Sequence, residues 1–191
     1  MKAILQKYMG YLGFPLLLSL YSCSTGTTDS NEAKIATFFS LADYFSSEID
    51  RLNAVQPKCT KTLKVGGKEE VQNGLTLDYQ TELAAFLDSD INKPSWSDKY
   101  RVDSVLADAG YLASLQYTAQ DSGMYTREIK LVFDSLQMVQ TCYVRNRLTN
   151  FISDFRQTLF YERDSGFRMT VLQGFGEDAR EPAEVSVKFL K

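Results

Sequence analysis

Histidine is missing from this sequence of 191 residues, which removes both the commonest general base and the commonest zinc ligand. Serine with a lysine three residues on, the arrangement that replaces histidine in some hydrolases, is also missing where a helix would present it: Ser40, Ser46 and Ser47 have no lysine at that offset. Gly66-Gly67-Lys68 lacks the upstream glycine and the following Ser or Thr of a phosphate loop. Positive charge is in deficit. Beyond residue 22 there are 19 basic residues against 24 acidic ones, a surface that gains little from phosphate backbones or anionic head groups, so nucleic acid is not an expected partner. No internal repeat, low-complexity tract or second-domain linker interrupts the chain. Its one concentrated apolar run, Phe14 to Tyr21, is too short to cross a bilayer.

That run carries the strongest signal present. Lys2 and Lys7 precede it, and small polar residues (Ser24, Thr25, Gly26, Thr27, Thr28) follow Cys23, so residues 1–22 read as a secretory signal peptide. Leu20-Tyr21-Ser22-Cys23 resembles the lipobox of bacterial lipoproteins, with leucine three before the cysteine and serine one before it; Tyr21 stands where the family usually has a small residue. The resemblance implies that Cys23 is lipidated on its sulfur and becomes the first residue of the mature chain. It also implies a permanent membrane anchor, since such lipoproteins carry more than one acyl chain and a single chain binds only marginally. Ser24, where an aspartate would imply inner-membrane retention, implies the outer membrane. Residues 23–29 are then a lipidated tether, and residues 30–191 are long enough for one domain with its own core.

With Cys23 committed to lipid, Cys59 and Cys142 remain as an even pair in an oxidising compartment. Two readings stay open: a disulfide joining the early chain to the sheet region, or two small buried apolar side chains.

Asp29 followed by Glu32 has the form of a capping box, and Ile35, Phe38, Ala42, Phe45, Ile49 and Leu52 recur at steps of three and four, predicting a helix over 30–55. Its opposite face holds Lys34, Ser40, Asp43, Ser47, Glu48 and Asp50. Pro57 ends it, and Gly66-Gly67 between alternating runs predicts a hairpin. Asp78 caps a second predicted helix carrying Tyr79, Leu83, Phe86 and Leu87 and closing before Pro94. Asp88-Ser89-Asp90-Ile91-Asn92 starts like an EF-hand loop, but Lys93 and Lys99 occupy the positions that need glycine and glutamate, so a surface helix end accounts for it better. Glu82 through Trp96 resembles a segment of small outer-membrane lipoproteins with N-terminal helices and a C-terminal antiparallel sheet, a likeness that implies architecture and no activity.

From Tyr100 the period is two. Strands are predicted over 100–105, 111–119, 125–133, 137–147, 155–163, 167–173 and 184–190, joined by short turns and therefore antiparallel. One face is apolar and aromatic; the other carries Lys130, Arg156, Arg168 and Lys188 and should meet water. The expected fold is α+β: two N-terminal helices on a curved, mostly antiparallel sheet of about seven strands.

Paired carboxylates for hydrolysis are available in Asp88, Asp90, Asp154, Glu162 and Asp164, all at helix ends, loops or strand margins, where solvated turn residues are ordinary. No cofactor or metal site is expected, and the chain reads as a non-enzyme. Two roles remain: a lipid-anchored envelope protein that holds a partner, or a carrier of an apolar ligand in a groove between helix and curved sheet. The second resembles, in predicted architecture, the half-barrel of outer-membrane lipoprotein receptors and carriers. Trp96, Tyr117, Phe133 and Tyr161 are the candidate groove lining.

Overall fold

A computed structural model describes residues 38–175, 178–179 and 181–190. The predicted signal peptide, Cys23, the tether and the Asp29 capping box lie outside them.

Helix α1 runs Leu41–Val55 and not from residue 30: Phe38 and Phe39 lie outside any helix, and extended Ser40 is the N-cap, its Oγ accepting from Asp43 N at 3.0 Å. The start is held from outside the helix. Asp90 Oδ2 accepts from Ala42 N and Asn92 Oδ1 from Phe38 N, both at 2.9 Å. The Asp88–Asn92 stretch is therefore an anchor for α1, placing a carboxylate at the positive end of its dipole, and not a free surface helix end. Gln56 closes α1 in the left-handed conformation (φ 48°), its N–H donating to Leu52 O.

The Gly66-Gly67 hairpin forms as expected, β1 (Cys59–Val65) pairing with β2 (Lys68–Leu75) about two glycines at φ 56° and 71°. The second predicted helix is broken. Asp78 caps α2 (Tyr79–Glu82), but fully buried Leu83 at φ −102°, ψ 4° interrupts the turn before α3 (Ala84–Leu87). A 3-10 turn, Pro94–Trp96, follows.

The seven predicted strands are present: β3 (Tyr100–Leu106), β4 (Leu112–Ala119), β5 (Thr126–Phe133), β6 (Val139–Thr149), β7 (Asp154–Glu162), β8 (Gly166–Phe175) and, after the two-residue β9 (Asp178–Ala179), β10 (Ala183–Phe189). The sheet is larger than expected because the hairpin joins it. Cys59–Lys64 of β1 pair with Glu184–Phe189 of β10, giving one antiparallel sheet in the order β2-β1-β10-β8-β7-β6-β5-β4-β3, with β9 beside β8.

The core lies between this sheet and the helices. Phe45 of α1 stacks on Phe86 of α3 (centroids 4.4 Å) and meets Tyr161 of β7 edge-on (5.3 Å). Phe38 reaches Tyr100 of β3, while Tyr79 reaches Phe189 of β10, so one helical layer packs on strands six spacings apart and the twisted sheet curls around it. Lys130, Arg156, Arg168 and Lys188 are exposed on the outer face, as their alternation requires.

Cys59 and Cys142 are both free and buried, so the disulfide alternative does not hold. Cys59 opens β1 and Cys142 sits mid-β6, with β10, β8 and β7 between them; four spacings along a sheet come to about 19 Å, far beyond the ~7 Å Cα limit for a bridge.

Candidate functional site

Three of the four residues expected to line a groove fill space instead, and the fourth edges the core. Tyr161 and Tyr117 are 0% and 4% exposed. The Tyr161 hydroxyl donates to Glu48 Oε2 at 2.6 Å, and the Tyr117 oxygen accepts from Phe39 N at 2.9 Å. Phe133 packs edge-on against Phe39, and half-buried Trp96 edges the core beneath the Lys93 ammonium, 4.1 Å from its ring. The groove expectation is corrected for a packing reason: Phe38, Phe45 and Phe86 occupy the volume under the curl.

Glu48, assigned by periodicity to the solvent face of α1, is 5% exposed. Arg51 grips both of its oxygens (2.7–3.2 Å), Arg163 approaches at 3.8 Å, and Arg51 continues to Asp164 at 3.0 Å. Burial first, and then hydrogen bonding to Glu48, pushes the Tyr161 hydroxyl far above its ordinary range; burial and the Glu48 charge do the same to Tyr44. Both tyrosines therefore stay protonated, and Tyr161 remains a donor to Glu48. The cluster pins α1 to the β7–β8 turn. Burial likewise raises the Cys142 thiol, so it is not a ready thiolate.

The chemistry-bearing cleft opens elsewhere, with a volume of about 580 Å³. Thr118 of β4, Arg127 of β5, Arg145 and Arg147 of β6, and Arg156 of β7 line it. Arg127 gets there through a bulge: Thr126 pairs with Asn146 and Glu128 with Arg145, leaving Arg127 as the extra residue. Its guanidinium donates to Asp121 O (2.9 Å) and Ser122 O and so clasps the β4–β5 turn. Arg145 pairs with Glu128 at 3.0 Å, and Arg147 and Arg156 share Asp154. Those two arginines, Arg147 first, hold the Asp154 carboxyl well below the usual carboxylate range.

Four guanidiniums against two paired carboxylates leave two positive charges over. Thr118 Oγ1 and Arg127 Nε are buried atoms with no hydrogen-bond partner among the described residues. Buried Asn146, also in the cleft wall, donates to Ser89 Oγ (2.8 Å) and Gln157 Oε1 (3.0 Å), fixing β6 against β7 and the α3 end. The cleft thus presents guanidiniums and hydroxyls, with its two carboxylates paired to arginines.

Of the carboxylates considered for hydrolysis, Asp90 caps α1, Asp154 sits between arginines and Asp164 pairs with Arg51, while Glu162 and Asp164 both line a shallow pocket beside the β7–β8 turn. Among the described residues, no group of three or more Cys, Asp or Glu side chains is placed to hold a metal ion, and no helix is long and apolar enough to cross a membrane. Periodicity placed Arg156 on the outer face but gave no sign that the other three arginines converge on it, because that depends on strand order and one bulge. No protein-family model, curated protein or solved structure matches this chain.

Proposed function

We propose that this chain is a lipid-anchored cell-envelope protein, in the outer membrane, whose folded body binds or supports a partner and performs no catalysis. The observation that carries the reading is Leu20-Tyr21-Ser22-Cys23 at the end of a basic, short apolar leader. The body's chemistry supports it: Glu48 is committed to its neighbours, the Cys142 thiol is buried, and the cleft's carboxylates are paired with its arginines. A carrier of an apolar ligand would need roughly 300–1,000 Å³ of apolar space. The volume beneath the sheet is occupied by Phe45, Phe86 and Tyr161, which favours the partner-holding role.

Replacing the cysteine separates the anchor from the body. With Cys23→Ala the chain should move from the detergent-requiring membrane fraction to a fraction released by salt, while its unfolding midpoint stays unchanged. A Cys23→Ala chain that still demands detergent would mean that the anchor is elsewhere.

A further inference from the structure

The β6–β7 hairpin ends in a turn built from the wrong residues for a turn. Its last ladder pair is Thr149 with Asp154; Asn150 N then donates to Ser153 O (2.9 Å), and Asn150 Oδ1 accepts from Ile152 N (3.0 Å). That leaves Phe151 and Ile152 at the central positions, where Gly, Asn or Asp are ordinarily favoured. Phe151 is 102% exposed, Ile152 62% and nearby Leu148 53%. None of the three belongs to the core, so folding gives no reason for them.

Behind this apolar tip stand the arginines. Arg147 and Arg156 face each other two residues down the ladder from Thr149 and Asp154, about 7 Å along the strand, and Arg145 and Arg127 complete the cleft. An apolar tip with guanidiniums behind it, Arg147 four residues along the chain from Phe151 and Arg156 four from Ile152, repeats the order of layers at a bilayer surface, acyl boundary and then phosphate. The body as a whole is acidic, so the match is local and depends on the two charges that Glu128 and Asp154 leave unbalanced. Three side chains on one turn fall well short of the ~800 Å² per partner of a stable protein interface, whereas they suffice to enter a membrane surface.

The geometry points to a lipid-surface contact: Phe151, Ile152 and Leu148 enter the acyl boundary, and the arginine cleft receives the phosphate of an anionic lipid. This contact stands on the folded body and does not require an acyl chain at Cys23.

The test uses the mature chain, residues 23–191, carrying Cys23→Ala and Phe151→Trp, mixed with phosphatidylcholine vesicles brominated on their acyl chains, with and without phosphatidylglycerol. The new indole should shift to the blue and be quenched when phosphatidylglycerol is present, while the same chain with only its native Trp96 is not. Adding Ile152→Asp should weaken partitioning about tenfold. Adding Arg145→Gln and Arg156→Gln should weaken it about fivefold for each arginine, on the anionic vesicles alone. Unquenched emission from position 151 on both vesicle types overturns the contact, as does an Ile152→Asp chain that partitions like its parent. Because Cys23 is absent throughout, a negative result leaves the anchor untouched, and loss of the anchor leaves this contact untouched.

Discussion

Phe45→Ala should lower the unfolding free energy by about 3–5 kcal/mol, read as a fall in the denaturant midpoint at unchanged slope. Phe45 is fully buried where three elements meet: it stacks on Phe86 of α3, lies 5.3 Å from Tyr161 of β7, and sits edge-on to its own helix neighbour Tyr44 at 5.0 Å. Truncation removes the transfer free energy of a phenyl ring and leaves a void that cannot collapse, because Tyr161 is tied to Glu48 and α1 is fixed at its start by Asp90. Phe151→Ala is the control. The same chemical change at a fully exposed turn should move stability by no more than about 0.5 kcal/mol. A small effect at Phe45 would mean that the helices do not pack on the sheet as described.

Gly166→Ala should be as damaging, by about 4 kcal/mol or more, for a reason of backbone and not of packing. Gly166 opens β8 at φ 136°, a conformation that L residues rarely adopt, and a Cβ there would lie 2.0 Å from Val187 O of the paired strand β10. A carbonyl in a ladder cannot swing aside as a side-chain tip can, so β8 and β10 must separate. The adjoining turn carries Arg163 and Asp164, which hold Glu48 and Arg51, so the seam and the clamp on α1 loosen together. Gly66→Ala provides the comparison. At φ 56° with nothing within 4 Å of its Cβ, it keeps only the conformational strain and should cost about 1 kcal/mol. Equal effects at the two glycines would contradict the close approach of β8 and β10.

What was legible in the sequence follows from what a period can encode. Alternation located the later strands closely: 100–105 is Tyr100–Leu106, and 155–163 is Asp154–Glu162, because each strand has one wet and one dry face. It could not say that β1 would pair with β10, since nothing local in Cys59–Lys64 names a partner more than a hundred residues away. Helical spacing found the buried stripe of α1 but misplaced its start, which Asp90 and Asn92 help fix from another element. The same spacing put Glu48 in water; burial of a carboxylate needs partners, and Tyr161 and Arg163 come from β7 and its turn. Net charge argued against anionic surfaces because it averages over the body, whereas β5, β6 and β7 gather Arg127, Arg145, Arg147 and Arg156 at one end. Phe151 and Ile152 fell between two predicted strands, where Asn150 and Ser153 flank the turn but no Gly, Asn or Asp stands at its centre.

The proposed lipid at Cys23 is tested most directly by the intact mass of the protein recovered from its native cells. A chain that begins at Cys23 and carries a thioether-linked diacylglyceryl group with its fatty acids is expected. A chain recovered free in solution, beginning at another residue and without fatty acid, would contradict the anchor and with it the envelope role.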